Sequence, residues 1–506
     1  MVRGVMASAP KTNQLTSLLL VLLLPPLAAA FSRPARYSTL RATPLSTYPA
    51  ARDHPPHANL AAAHAVSDDD GGKNHSASTV HLLLAHREAF APPNATASQL
   101  LARRLARDAA RAERILAAAA GNATLARGGR GGGFAAPVVS GLAQGSGEYF
   151  AQVGVGTPPA PALLVLDTGS DVVWLQCAPC HRCYAQSGKV FDPRRSRSYA
   201  AVPCAAPLCR RLGSGSGGGR CRSGPCRYQV AYGDGSVTAG DLATETLTFA
   251  RRARVPRVAI GCGHDNEGLF VAAAGLLGLG RGRLSFPTQI ARRYGRGFSY
   301  CLVDRTSSLN PSSSRSSTIA FGSGAVAAAA GASFTQMVRN PKMATFYYIR
   351  LVGFRVGGAR VRGVAERDLR LDPTTGRGGV IVDSGTSVTR LARPAYAAVR
   401  DAFRAAAARG LPRPTPGGFS LFDTCYDLRG RKVARVPTVS LVLAGGAEVA
   451  LPAENYLIPV DARGTFCLAM AGTDGGVSIV GNIQQQGFRV VFDGDAQRVG
   501  FVPNSC

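Results

Sequence analysis

Two tetrapeptides of one design stand far apart in the chain, Asp167-Thr168-Gly169-Ser170 and Asp383-Ser384-Gly385-Thr386. Each closes a short apolar run of strand-forming residues, Leu163-Leu164-Val165-Leu166 in the first case and Val380-Ile381-Val382 in the second. A carboxylate at the end of a buried strand, built twice, points to an internal duplication that brings two aspartates to a common axis. Paired carboxylates suit a hydrolysis in which one acts as base and the other as acid. Held close, they do not readily ionise together, so the pair shares a proton near acidic pH.

The elements that must position them repeat as well. Gly275-Leu276-Leu277-Gly278 follows the first tetrapeptide, and Ser478-Ile479-Val480-Gly481 follows the second at a similar distance. Each predicts a strand crossing close beside an aspartate loop, where glycine permits an approach that a side chain would block. From Gly147 onward the pattern is all-β. A strand over Glu148 to Gly156 turns at Thr157-Pro158-Pro159, and short apolar runs separated by Gly, Pro and Asp continue to the end. The spacing predicts one long helix there, Arg393 to Ala408, with a smaller one near Pro287 to Tyr294.

At 506 residues the chain exceeds one ordinary domain. Its net charge of +28 comes mostly from Arg scattered singly among Ala and Gly, which reads as a solvated surface and not as a nucleic-acid motif. All twelve cysteines fall between Cys177 and Cys506, behind an apolar leader ending in Ala28-Ala29-Ala30. Together these predict a cleaved signal peptide over residues 1–30 and a disulfide-bonded secretory protein. Residues 31–135 lack Cys, carry acceptor sequons at Asn74, Asn94 and Asn122, and contain one helical stretch, Gln99 to Ala120. This segment reads as a mostly irregular pro-segment, with the basic, Gly-rich stretch around Arg127 and Arg130 as a plausible cutting site.

The two tetrapeptides, the two glycine-bounded crossings, Tyr232-Gly233-Asp234-Gly235-Ser236 and the twelve cysteines form an ordered set. In it the chain resembles the pepsin-type aspartic proteases, within them the nepenthesin-like plant subfamily, and is similar to the guard-cell type. The resemblance covers about residues 140 to 506. It implies an all-β, bilobal fold with a cleft between a first lobe, 136–338, and a second, 339–506. Asp167 and Asp383 are then the catalytic dyad. By the same resemblance Gly169 and Gly385 donate backbone N–H groups to the carboxylates, Thr168 and Ser384 bond across the pseudo-twofold axis, and Ser170 and Thr386 bond the outer carboxylate oxygens. Tyr232 is implied as a flap residue, steadied by the indole of Trp174. The implied disulfides are Cys177–Cys180, Cys183–Cys262, Cys204–Cys226, Cys209–Cys221, Cys301–Cys506 and Cys425–Cys467, four of them stapling an insertion over 177–262. Without cysteines between Cys301 and Cys425, the saposin-like insertion of vacuolar members is absent.

The expected function is therefore a secreted aspartic endopeptidase made as a zymogen. It would act on protein or peptide substrates through an activated water, be blocked by pepstatin-type inhibitors, and work as a monomer without cofactor, metal, nucleic acid or membrane span in the mature chain. The cell wall or apoplast is the expected destination, with vacuole and ER as alternatives. A catalytically silent inhibitor or binding protein of the same fold is the alternative reading, and a nucleic-acid-binding relative is another. Cys177-Ala178-Pro179-Cys180-His181 also matches a haem-attachment pattern and, with Cys183, a metal knuckle. With only His181 and His264 beyond residue 135, disulfides are the better reading.

Overall fold

Alternating and apolar runs in the sequence become strands that pair across very long separations. In the computed structural model the described residues are 35–45, 79–87, 94–120, 149–212, 223–232, 236–249, 253–268, 270, 273–303 and 317–506. Residues 1–30, expected as a signal peptide, the sequons at Asn74 and Asn122, the expected cutting site around Arg127 and Arg130, Cys221, and Gly233-Asp234-Gly235 of the expected flap lie outside them. Asn94 is exposed at the turn that leads into the first helix.

The N-terminal region carries more regular structure than its sequence announces. Strand β1 (Tyr37–Arg41) runs antiparallel to Val433–Pro437, and β2 (Val80–His86) lies between Ser317–Phe321 and β3 (Tyr149–Val155). Helix α1 spans Ala97–Ala120. Its start is fixed by reciprocal bonds, Thr96 N–H to Gln99 Oε1 (3.0 Å) and Gln99 N–H to Thr96 Oγ1 (3.2 Å), which satisfy donors that a helix N-terminus otherwise leaves open.

Beyond α1 the chain builds two β-rich lobes of related design. In the first, β3 pairs with β4 (Ala160–Asp167), and the long hairpin Val237–Thr248 and Arg254–Glu267 extends from β3 and from β5 (Trp174–Gln176). In the second, Leu351–Val356, Val439–Leu443 and Glu448–Leu451 form one sheet, while Cys425–Asp427, Thr465–Leu468 and Leu457–Pro459 form another. A ribbon of antiparallel pairs joins the halves, running from β2 through Ser317–Phe321, Gly297–Cys301, Arg489–Asp493, Arg498–Val502 and Ser333–Val338. Helix Arg393–Ala407 places Tyr396, Val399 and Phe403 in the core. The architecture is the bilobal, β-rich pepsin-like fold.

The disulfide pairing departs from the implied one. The structure joins Cys177–Cys262, Cys180–Cys183, Cys209–Cys226, Cys301–Cys506 and Cys425–Cys467, and Cys204 is also disulfide-bonded. The cause is register: β5 runs parallel to Arg254–Glu267 with Leu175 beside Cys262, which sets the Cys177 and Cys262 Cα atoms 5.3 Å apart. Cys180 then closes on Cys183 within its own turn. These sulfurs are spent in disulfides, leaving the haem and knuckle patterns no thiolate.

Candidate functional site

The aspartate loops are assembled by the same device in each lobe. Strand Gly275–Gly278 runs parallel to β4, with Gly278 beside Asp167 and Leu279 N–H donating to Asp167 O at 2.8 Å. Strand Ser478–Val480 runs parallel to Val380–Val382, and Asp383 N–H donates to Val480 O at 3.2 Å. Gly278 and Gly481 are required by proximity: a Cβ would lie 2.6 Å from the Asp171 carbonyl carbon in one and 2.5 Å from Ser387 O in the other.

Both carboxylates are buried, Asp167 at 1% exposure and Asp383 at 0%. Gly169 N–H donates to Asp167 Oδ1 (2.9 Å) and Gly385 N–H to Asp383 Oδ1 (3.3 Å). The loops grip each other, with Ser384 N–H donating to Thr168 Oγ1 (2.8 Å) and Thr168 N–H to Ser384 Oγ (3.2 Å). Thr386 Oγ1 donates to Asp383 Oδ2 at 2.5 Å. Its counterpart does not: Ser170 Oγ is buried without a hydrogen-bond partner. Trp174 Nε1–H donates to the Tyr232 hydroxyl at 2.5 Å, with Phe270 edge-on to both rings. Burial pushes the Tyr232 hydroxyl well above the ordinary tyrosine range, so it stays neutral.

The residue that decides what this arrangement can do is one the sequence reading did not single out. Arg111, on α1, lies between the two aspartates. Its Nη2 donates to Asp167 Oδ1 (2.6 Å) and Asp383 Oδ1 (3.0 Å), its Nε to Asp383 Oδ2 (2.8 Å), and its Nη1 to Asp167 Oδ2 (3.4 Å). All four carboxylate oxygens therefore accept from one guanidinium, in the fork geometry that Arg alone provides. A Cβ on Gly385 would come within 2.6 Å of the guanidinium carbon. Burial opposes the Arg111 charge, yet Asp167 and Asp383 hold it firmly protonated. Burial would likewise raise the Asp383 carboxyl, but Arg111 holds it below the usual carboxylate range.

Two further side chains of α1 fasten it to the second lobe. Asp108 accepts from the N–H groups of Ser387 and Val388 and from Arg390 Nη2 (2.7 Å). Arg104 donates to Ser387 Oγ (3.2 Å) and Asn482 Oδ1 (3.1 Å). Positions 104, 108 and 111 share one helix face with Leu101, Leu105, Ala112 and Ile115, which pack on Val388, Ile483, Ile381 and Ile479. Charged residues set on the apolar face of a helix were the signal available in the sequence, since such positions need buried partners.

A pair of pseudo-symmetric β lobes with an aspartate from each at their junction defines the pepsin-like class. Residues 149–323 match the xylanase inhibitor N-terminal family and residues 346–503 the xylanase inhibitor C-terminal family. The chain is 57% identical over 431 residues, 85% of its length and 86% of the relative's, to aspartyl protease family protein 2 of Arabidopsis thaliana. Its fold is similar to the crystal structure of edgp (TM-score 0.56, 22% identity, 70% of this chain and 91% of that one). It is also similar to basic 7S globulin from soybean (TM-score 0.54, 21% identity, 70% and 92%). The chain belongs to this pepsin-like, aspartic-protease-related family.

The chain is also 50% identical over 374 residues to Protein ASPARTIC PROTEASE IN GUARD CELL 2 of Arabidopsis thaliana and 38% identical over 364 residues to aspartic proteinase nepenthesin-1 of Nepenthes gracilis, each over more than 70% of both chains, while the family models that match its halves are those of xylanase inhibitors. The expected endopeptidase activity, with a peptide substrate and pepstatin-type inhibitors as partners, is cut back to membership of the pepsin-like family, since the matching family models are those of xylanase inhibitors and the solved structures at 21–22% identity show the fold alone. Arg111 takes the carboxylate oxygens on which an attacking water would depend for as long as α1, part of the segment 31–135, stays docked. The implied bond from Ser170 to Asp167 is corrected too, because Arg111 serves the outer oxygen instead. The disulfides are consistent with a secreted protein. Among the described residues no helix is long and apolar enough to cross a membrane, and no group of His, Cys, Asp and Glu is placed to hold a metal.

Proposed function

We propose that the full chain is a catalytically silent pepsin-fold binding protein of inhibitor type, whose partner is a secreted glycoside hydrolase such as a xylanase. The observation that carries this reading is Arg111, whose single positive charge is shared by Asp167 and Asp383 and whose guanidinium fills the space between them. The match of both halves to xylanase-inhibitor families supports the partner class. In this reading residues 1–30 are a leader, residues 31–135 form an arm that stays on the body, and 136–338 and 339–506 are the two lobes. Thr168, Ser384, Trp174 and Tyr232 then serve as architecture, and the protein resides in the cell wall space.

Two assays of the full chain test it. Incubation with a denatured protein from pH 3 to pH 8 is expected to leave the substrate intact, and equimolar protein is expected to slow a secreted xylanase. Cleavage that disappears in Asp167→Asn would overturn the silent reading. An unchanged xylanase rate over a panel of such enzymes would overturn the inhibitor reading.

A further inference from the structure

Away from the dyad, the second lobe carries a basic ledge that the proposed function does not use. The sequence Arg429-Gly430-Arg431-Lys432-Val433-Ala434-Arg435 places four cations within seven residues. The structure sets this run at one edge of the lobe and adds to it from β1. Thr39 lies opposite Arg435, Arg41 opposite Val433 and Tyr37 opposite Pro437, so these residues share one face of the two-stranded sheet. Arg36, Arg41, Arg431, Lys432 and Arg435 are exposed. The C-terminal end of helix Arg393–Ala407 packs alongside, where Arg431 donates to Gly410 O (3.3 Å) and Tyr37 to Ala406 O (3.3 Å).

Three features make this more than a solvated charge run. The acids that flank it are already paired, Asp427 with Arg429 and Asp461 with Arg463. Arg435 lies over the Tyr37 ring at 4.3 Å, so a cation is held on an aromatic plate. Against the strand pair is an open hollow of about 380 Å³, lined by Arg36, Tyr37, Ser38, Thr39, Val433, Ala434 and Arg435. Val433, a large apolar side chain left 57% exposed, forms part of its wall.

A row of cations beside an aromatic ring and an exposed aliphatic side chain is complementary to a linear polymer with carboxylates and apolar sugar faces. The disulfides assign the protein to an oxidising compartment, which favours an extracellular polyanion over a nucleic acid. We infer that the ledge formed by β1 and Val433–Pro437 binds an acidic polysaccharide of the polyuronate class. This surface holds the protein on a charged matrix and leaves the lobe junction untouched.

The test is binding of the full chain to polygalacturonate at 50 and 200 mM salt, beside a neutral glucan and double-stranded DNA. Saturable binding to polygalacturonate is expected, weakening with salt, with none to the glucan and weaker binding to DNA. The variant Arg431→Ser/Lys432→Ser/Arg435→Ser is expected to bind about tenfold more weakly, as the loss of three exposed ion pairs predicts. A variant of equal charge on the first lobe, Arg194→Ser/Arg195→Ser/Arg197→Ser, is expected to bind within about twofold of the parent. Lys432→Glu, a charge reversal at an exposed side chain whose backbone alone serves the fold, is expected to weaken binding on its own. Equal losses in the two triple variants would reduce the effect to net charge and overturn the proposal. So would an absence of binding to polygalacturonate, or DNA binding as tight at the same salt. Neither the protein-cleavage assay nor the xylanase assay reads this surface, so the two readings fail separately.

Discussion

Replacing Arg111 by Ala leaves two buried carboxylates facing each other without a cation. Removing one partner of a buried ion pair costs about 3–5 kcal/mol, because the remaining charges lose their compensation. Here the single guanidinium serves both aspartates and also donates to Thr386 Oγ1 at 3.2 Å, which places the expected loss at the upper end. The pH dependence separates this account from simple loss of packing. In the parent, Asp383 is held below the usual carboxylate range, so its contribution is present above about pH 4 and is lost as pH falls through the folded value. In the variant one carboxyl takes up a proton more readily than it does in the unfolded chain. The folded variant then binds the extra proton and gains stability as pH falls from 7. The deficit should shrink by about 1–2 kcal/mol between pH 7 and pH 4.5. Urea midpoints of parent and variant across that range measure it, with Arg111→Lys as a comparator that keeps the charge but not the fork. A deficit that stays constant with pH would refute the ion-pair reasoning.

Other perturbations read the surrounding structure. Asp108→Ala leaves the N–H groups of Ser387 and Val388 and the Arg390 guanidinium without their acceptor, so a loss of about 3–5 kcal/mol and faster proteolysis within α1 are expected. Tyr232→Phe removes the acceptor of the Trp174 indole at a cost of about 1–2 kcal/mol. Because the chain has a single Trp, its emission spectrum should report that change directly. Cys301→Ser/Cys506→Ser opens a link between residues 205 positions apart and should lower stability by about 3–5 kcal/mol, measured by urea unfolding.

The parts of the site set by local pattern could be read directly from the residues. Asp167 and Asp383 each close an apolar strand, and each glycine-bounded crossing lies where its tetrapeptide needs it, because strand, turn and glycine are short-range signals. Thr168 and Ser384 follow from the same repeat. What escaped depends on contacts between distant segments. Arg111 looks like one more Arg in an Ala-rich helix until α1 is docked, when it becomes the partner of carboxylates 56 and 272 positions away. β1 and β2 are hard to read because Leu82-Leu83-Leu84 hides the alternation and because β1 and one edge of β2 pair with strands hundreds of residues downstream. The cysteine pairing was illegible for a related reason: several sulfurs crowd one region, and only the register of β5 selects Cys262 for Cys177.

The place of β2 has a consequence for the wholeness of the molecule. It is an interior member of the sheet, hydrogen-bonded on one side to Ser317–Phe321 and on the other to β3. A cut in the backbone after α1 would therefore produce not a free arm and a finished body but a two-chain protein, kept together by a shared sheet and a shared ion pair. A body made without the arm would bear two raw strand edges, each a template for pairing with a neighbour. In that sense the N-terminal region is a subunit that happens to be covalently attached.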